Sequence, residues 1–114
     1  MRRIEILTFA GGQLLDIAGP LQVFATANDL AHLAGRPLPY EIAVVATQER
    51  VVTSARLELG TTPLPEPGTA LHTLIVAGGY GVNAACRDAG LVDWVRQRAR
   101  SEEHTSELQS RQVI

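Results

Sequence analysis

The residues best placed for chemistry lie in one glycine-rich corner, A-G-G-Y-G at residues 77–81, which follows an unbroken apolar run at residues 74–76. Such a run indicates a strand covered on both faces, the usual state of an interior strand in a parallel sheet. Glycines permit backbone conformations and close approaches that a Cβ would block, although they also serve tight turns. Ligands of open α/β sheets bind just past the carboxyl ends of strands. The sequence therefore predicts a ligand pocket beginning at Gly78 and Gly79, with Tyr80 beside them.

The other reactive side chains give weaker signals. Cys86 is the only cysteine of the chain, and we expect a buried or half-buried structural thiol on a helical turn. His32 and His72 each stand without a ligand partner at useful spacing. A metal site needs ligands held by a fold and a supporting shell, which we do not expect for the polar set near the C-terminus: Glu102, Glu103, His104 and Glu107. We predict neither a metal nor a cofactor.

Asp16 lies between the first predicted strand, residues 3–9, and the first predicted helix, residues 20–34. Pro20 suits the first turn of a helix because its missing N–H would be unpaired there, and Gly35 suits the C-terminal cap. Apolar stripes through Val23 and Leu30 predict that most of this helix is buried. Asp16 is then either a cap of this helix or a pocket residue, and both interpretations remain open.

The rest of the chain alternates strands and helices. A helical turn is predicted at Val82–Cys86, followed by a helix that Asp88 caps. The apolar side of this second helix is predicted to comprise Leu91, Val92, Trp94 and Val95. The predicted strands are residues 40–47 and 71–77, with an antiparallel ribbon from residues 51–54 and 56–61. This order indicates an open α/β sheet.

Composition narrows the class of protein. The 114 residues suit one small domain, and 46% hydrophobic residues suffice for a core. A net charge of -2 gives no electrostatic case for binding nucleic acid or an anionic membrane. No apolar run approaches the roughly 20 residues of a membrane span, and Glu5 interrupts the apolar N-terminal stretch, so we expect no signal peptide. With a single cysteine, we expect a cytoplasmic protein.

The C-terminal segment R-S-E-E-H-T-S-E-L-Q-S at residues 100–110 resembles the translation of a sequencing-library adapter. It has no sustained apolar periodicity, although a polar extension of the last helix is the alternative. We therefore expect residues 1–99 to be a partial domain and residues 100–114 a non-native tail without function. The strand at residues 74–77 would then be an exposed edge, which is an aggregation hazard.

Two stretches together resemble the ThiJ/PfpI superfamily, which has the fold of class I glutamine amidotransferases. They read Q-L-L-D-I-A-G-P-L-Q-V-F-A-T-A-N at residues 13–28 and T-L-I-V-A-G-G-Y-G-V-N-A-A-C-R-D-A-G-L-V-D-W at residues 73–94. The pairing is most similar to the N-terminal domain of GlxA-type regulators of the AraC family, which carry a C-terminal helix-turn-helix domain. The resemblance implies a flavodoxin-like parallel sheet sandwiched by helices, here C-terminally incomplete, with a small-molecule pocket and a homodimeric parent.

The resemblance also implies roles for individual residues. In catalytic members a cysteine on a strand-to-helix elbow is held as thiolate by an acidic residue, and N–H groups of the Gly-Gly corner stabilise an oxyanion. Asp16 matches the acidic position of the related isocyanide hydratases, and Gly78 and Gly79 match the corner. The elbow cysteine has no match, because Cys86 follows too soon after Gly81.

Three functions compete. The first is a fragment of a regulator's sensing domain, which binds a small nitrogenous metabolite, lacks its DNA-binding domain and is not catalytic. The second is a fragment of a hydratase- or amidase-like enzyme whose cysteine nucleophile is missing. The third is a dinucleotide site, because residues 79–84 fit G-x-G-x-x-[GA]; this is the weakest, since residues 87–90 break the helix early.

Overall fold

The computed structural model of the chain describes residues 1–100 and 112–114. Its main sheet is wholly parallel, with strand order β5-β2-β1-β6-β7. The main-sheet strands are β1 (Arg2–Leu7), β2 (Tyr40–Ala46), β5 (Thr62–Pro63), β6 (Thr73–Val76) and β7 (Gln112–Val113). The other elements are β3 (Arg50–Val52), β4 (Glu58–Gly60), α1 (Leu14–Leu33), α2 (Val82–Cys86) and α3 (Ala89–Ala99). The predicted open α/β sheet is confirmed.

Strands β1 and β6, which are neighbours in the middle of the sheet, are buried on both faces. On one face Ile6 and Ile75 pack with Ile17 of α1. On the other face Leu7 and Leu74 belong to a second cluster, together with Leu91 and Trp94 of α3. Helices therefore cover both sides of β1 and β6, as the unbroken apolar run of β6 predicts.

Helix α1 begins at Leu14 rather than at Pro20, so the predicted start is wrong. Pro20 lies inside the helix and cannot donate to the carbonyl of Asp16, which normally costs stability. The residues before Pro20 remain helical because Ile17, one of them, packs into the core, where it is 2% exposed. The predicted cap at Gly35 is confirmed: its φ is +69° and its N–H donates to His32 O at 3.0 Å.

Most of α1 is not buried, contrary to prediction. Only Ile17 and Ala31 of this helix are buried, because one side packs on the sheet and no described residue covers the other. Among the described residues, no helix is long and apolar enough to cross a membrane.

The predicted ribbon is confirmed as the antiparallel pair β3–β4. It supports the loop that follows β1, because the carbonyl of Val52 accepts from Gly11 N and Ser54 N donates to Gly12 O, both at 2.9 Å. The ribbon therefore fixes the backbone just ahead of α1.

Helix α3 is tied to the sheet and to the proline-rich loop. Asp88 caps it as predicted, accepting from Leu91 N at 3.1 Å. The indole of Trp94 donates to Pro65 O at 2.8 Å. Arg98 donates to Glu5 and to the carbonyls of Pro67 and Thr69, and it lies over the Trp94 ring at 5.6 Å. These interactions hold α3 against β1 and the proline-rich loop along its length up to Arg98.

Glu5 and Arg98 form a buried ion pair that no sequence pattern predicts. Both side chains are 0% exposed. Arg3 adds a second cation, with its Nε 2.7 Å from Glu5 and its Nη1 2.8 Å from Glu41. Burial acts to lower the pKa of Arg3, but its hydrogen bonds and charge interactions with Glu5 and Glu41 outweigh burial and raise that pKa above its usual value.

The β6 edge is partly paired, so the expectation of a bare edge is wrong. Strand β7 runs parallel to it, and Ile114 exchanges hydrogen bonds with Val76 N (2.7 Å) and Leu74 O (2.8 Å). An open strand edge can pair with any extended segment. Val113 and Ile114 suit this pairing because β-branched residues favour strands. The rest of the predicted tail, residues 101–111 with His104, lies outside the described residues, and the proposed domain boundary stays a prediction.

Candidate functional site

The structure brings Asp16 and Gly78 together. Asp16 lies in the first turn of α1, and its Oδ2 accepts a hydrogen bond from Gly78 N at 2.8 Å. The N-cap of the helix is Gln13, which makes no side-chain capping bond. The interpretation of Asp16 as a helix cap is therefore wrong, and its carboxylate instead lies at the carboxyl end of β6.

Two loops meet at this point and are joined through their backbones. The first, residues 10–13, follows β1; the second, residues 78–81, follows β6. Gln13 N donates to Gly78 O at 2.8 Å, and Gly81 N donates to Gly11 O at 3.3 Å. With the Asp16 bond, three hydrogen bonds fix the corner relative to the start of α1.

The glycines allow this close approach. Gly79 has φ +107°, and a Cβ there would lie 2.8 Å from both Gln13 N and Gly11 O. A Cβ on Gly81 would overlap the carbonyl oxygen of Ala10. These two glycines serve loop packing as well as the turn, which explains the repeated glycines better than the turn alone.

The two predicted oxyanion donors differ in their hydrogen bonds. The N–H of Gly78 is already bonded to Asp16. The N–H of Gly79 has no acceptor among residues 1–100 and 112–114. Of the predicted pair, only Gly79 has its donor available to a ligand in this arrangement.

Tyr80 lies at the rim of the corner. Its side chain is 69% exposed, and its ring edge covers Gly11, where a Cβ would come within 2.9 Å of the ring. It can contact a ligand that rests on the corner, but it does not enclose one.

Cys86 is exposed, so the expectation of a buried or half-buried thiol is wrong. It is the last residue of α2, and no hydrogen bond joins it to Asp16 in the part of the chain that the structure describes. The predicted helical turn at Val82–Cys86 is itself confirmed. Its five residues are far shorter than the long helix that a dinucleotide fingerprint requires.

An apolar cavity of about 260 Å³ opens beside the corner. It shares none of the predicted pocket residues. Sequence reasoning missed it, although the helical spacing of Val82 and Ala85 is a usable signal. Its lining comes from the ends of β1 and β6 and from the two C-terminal helices: Leu7, Phe9, Val76, Ala77, Val82, Ala85, Cys86, Leu91, Val92 and Val95.

The remaining candidates do not join this site. His32 is exposed near the end of α1, and His72 Nδ1 is 2.8 Å from Thr73 Oγ1. Within the described ranges, no three His, Cys, Asp or Glu residues are grouped to hold a metal ion. Two buried hydroxyls, Thr8 and Thr53, lack a hydrogen-bond partner among these residues, and nothing in the sequence singled them out.

No family model matches the sequence, and no curated protein matches it. Solved structures do match its fold. An AraC family transcriptional regulator from Pseudomonas putida has a TM-score of 0.59 and 20% identity, over 80% of this chain and 61% of that one. DJ-1beta from Drosophila melanogaster has a TM-score of 0.58 and 18% identity, over 86% of this chain and 50% of that one.

A third match shows the same fold inside a larger protein. It is a two-domain protein from Anabaena variabilis with DJ-1/ThiJ/PfpI-like and ferritin-like domains, with a TM-score of 0.67 and 14% identity over 86% of this chain. The chain spans 26% of that protein, 50% of DJ-1beta and 61% of the regulator. Identities this low establish the fold alone. The chain has the flavodoxin-like fold of a DJ-1/ThiJ/PfpI-like domain.

Proposed function

We propose that this chain is part of the ligand-sensing domain of a transcriptional regulator and that it is not catalytic as it stands. The similarity of the fold to an AraC family transcriptional regulator supports the regulator, and the observation that argues against catalysis is the Asp16–Gly78 hydrogen bond at 2.8 Å. The carboxylate that would activate a nucleophile is bonded to backbone, and the only cysteine of the chain is exposed at the end of α2.

Cysteine-dependent hydration or amide hydrolysis has geometric requirements that support this proposal. The thiol must lie within hydrogen-bond reach, roughly 2.6–3.2 Å, of the group that activates it. The developing oxyanion also needs free donors directed at it. Here Asp16 has no thiol bonded to it among the described residues, and Gly78 has already donated its N–H.

The same corner suits recognition without chemistry. Gly79 offers an N–H donor, Asp16 offers carboxylate oxygens as acceptors, and Tyr80 adds an aromatic rim. A small ligand carrying both an N–H group and a carbonyl satisfies donor and acceptor together. We therefore propose a small nitrogenous metabolite as the ligand class. A net charge of -2 gives this chain no electrostatic case for binding DNA. In this proposal, DNA is therefore bound through a separate helix-turn-helix domain.

The alternative is a fragment of an isocyanide hydratase- or amidase-like enzyme. Its support is Asp16, whose carboxylate lies at the carboxyl end of a parallel strand beside a donor-bearing glycine corner. In that case a cysteine from outside these 114 residues would have to displace the Gly78 N–H from Asp16 or share the carboxylate with it.

The uninterrupted reading frame beyond codon 99 in the source genome separates these candidates. A following segment that encodes a helix-turn-helix domain supports the regulator. A following strand that ends in a cysteine elbow, with no DNA-binding domain after it, contradicts the regulator and favours the enzyme.

A further inference from the structure

The outer edge of β6 is held by a short segment of the chain. On its inner side β6 pairs with β1, and on its outer side, within the described residues, it pairs with Gln112–Ile114. The side chains of Val113 and Ile114 are 45% and 71% exposed. They bury little surface, so backbone hydrogen bonds provide most of the contact. An extended peptide of another sequence can form the same backbone bonds.

The register shows where the side chains of a strand at this edge lie. Val113 pairs with Leu74, and Leu74 packs with the residues of α3. Ile114 follows at the level of Ile75, which packs with α1 on the opposite face. Because side chains alternate between the two faces of a sheet, the next position along this strand pairs with Val76 and lies on the α3 side.

That next position lies beside the apolar cavity of about 260 Å³. Val76 lines the cavity, as do Val92 and Val95 of α3, and all three are half-buried. None of the described residues that line the cavity is charged. The segment Gln112–Ile114 stops before this position. A longer strand at the same edge would place a side chain at the cavity, and an apolar side chain suits its lining.

We propose that the β6 edge and the apolar cavity together bind an extended peptide of a partner protein, which pairs parallel to β6 and places an apolar side chain in the cavity. In such strand addition, backbone hydrogen bonds supply affinity and a side-chain pocket supplies specificity. The parallel pairing of Gln112–Ile114 shows the mode of binding. A second copy of the chain does not fit this mode, because two β6 edges related by a two-fold axis run antiparallel. The proposal does not depend on ligand sensing.

Fluorescence anisotropy with a labelled peptide and the full 114-residue chain tests the proposal. The probe is S-R-Q-V-I-L-S, which repeats the sequence of residues 111–114 and adds a leucine opposite Val76. We expect saturable binding. A probe with glutamate instead of leucine should bind about tenfold more weakly or worse, because a charge would enter an apolar cavity. A probe with proline instead of isoleucine lacks the N–H that would donate to Leu74 O, and its binding should fall at least as much.

Competition with the chain's own segment gives a second readout. The Ile114→Pro variant loses the N–H that donates to Leu74 O at 2.8 Å. The segment should therefore leave the edge more readily, and the probe should bind severalfold more tightly. Helical circular dichroism should not change, because Ile114 is 71% exposed. The control is Leu57→Glu, which alters a side chain 52% exposed beside β4 and should bind the probe as the unaltered chain does.

Three results overturn the proposal. The first is a lack of saturable binding to the Ile114→Pro variant. The second is equal binding of the leucine probe and either the glutamate or the proline probe. The third is an affinity that Ile114→Pro leaves unchanged or weakens. The reversed peptide S-L-I-V-Q-R-S has the same composition and should bind more weakly, so equal binding of the reversed peptide would contradict the parallel pairing.

Discussion

The carboxylate of Asp16 accepts a hydrogen bond from the backbone N–H of Gly78 at 2.8 Å, across 62 positions of the chain. This bond joins the first turn of α1 to the end of β6. Around it, the loops after β1 and β6 exchange two backbone hydrogen bonds. Two of the groups to which the resemblance assigns catalytic roles, the Asp16 carboxylate and the Gly78 N–H, are therefore bonded to each other.

Replacing Asp16 tests how much this bond stabilises the fold. Asp16→Ala leaves the Gly78 N–H without its partner, and we expect a loss of about 1–2 kcal/mol in the free energy of unfolding. Asp16→Asn keeps a neutral acceptor and should lose less than half as much. Urea unfolding followed by Trp94 fluorescence measures both. Equal stability of Asp16→Ala and the unaltered chain would show that the bond contributes nothing.

The approach of the two loops depends on Gly81. Gly81→Ala forces a Cβ into the carbonyl oxygen of Ala10, so one loop must move, and we expect a loss of about 2 kcal/mol or more. Gly68→Ala is the matched control, because a Cβ there meets nothing within 4 Å; it should be neutral or slightly stabilising. Thermal unfolding of both variants provides the measurement. The contrary result is equal melting temperatures.

The buried pair Glu5–Arg98 predicts strong coupling. Glu5→Leu removes the carboxylate from the buried Arg98 and should cost about 3–5 kcal/mol. Arg98→Met should cost less, because Arg3 still pairs with Glu5 at 2.7 Å. The double variant removes both charges and should recover part of this loss. A double-mutant cycle from urea unfolding quantifies the coupling. Strictly additive losses would mean that the ion pair has no energetic role.

The apolar cavity predicts a stabilising substitution. Ala85 lines it, so Ala85→Leu should fill part of the space and raise stability by about 1 kcal/mol. Ala84 precedes it in α2 but is exposed, which makes Ala84→Leu a control for helix propensity alone. Melting temperatures that rise equally in both variants would exclude cavity filling as the cause.

Sequence patterns predicted the elements whose signals are local. The apolar run of β6, the Asp88 cap and the left-handed glycine at Gly35 each depend on neighbouring residues, and each is found. The predicted start of α1 was wrong because Pro20 is a strong local signal. The burial of Ile17 in the core, a tertiary effect, outweighs it.

The site was predicted only in part, for the same reason. Sequence patterns singled out Asp16 and Gly78, but no local pattern predicts that the Asp16 carboxylate accepts a hydrogen bond from the Gly78 N–H. The exposure of Cys86 likewise depends on how α2 packs. The Glu5–Arg98 pair spans 93 positions and could not be read from spacing.

A turnover assay on the purified 114-residue chain tests whether the chain lacks catalysis. The chain is incubated with an aliphatic isocyanide and, separately, with a simple amide, and formamide or ammonia release is measured. We expect rates equal to those of buffer and of the Cys86→Ser variant. Turnover above buffer that Asp16→Asn or Cys86→Ser abolishes would show that the chain is an enzyme.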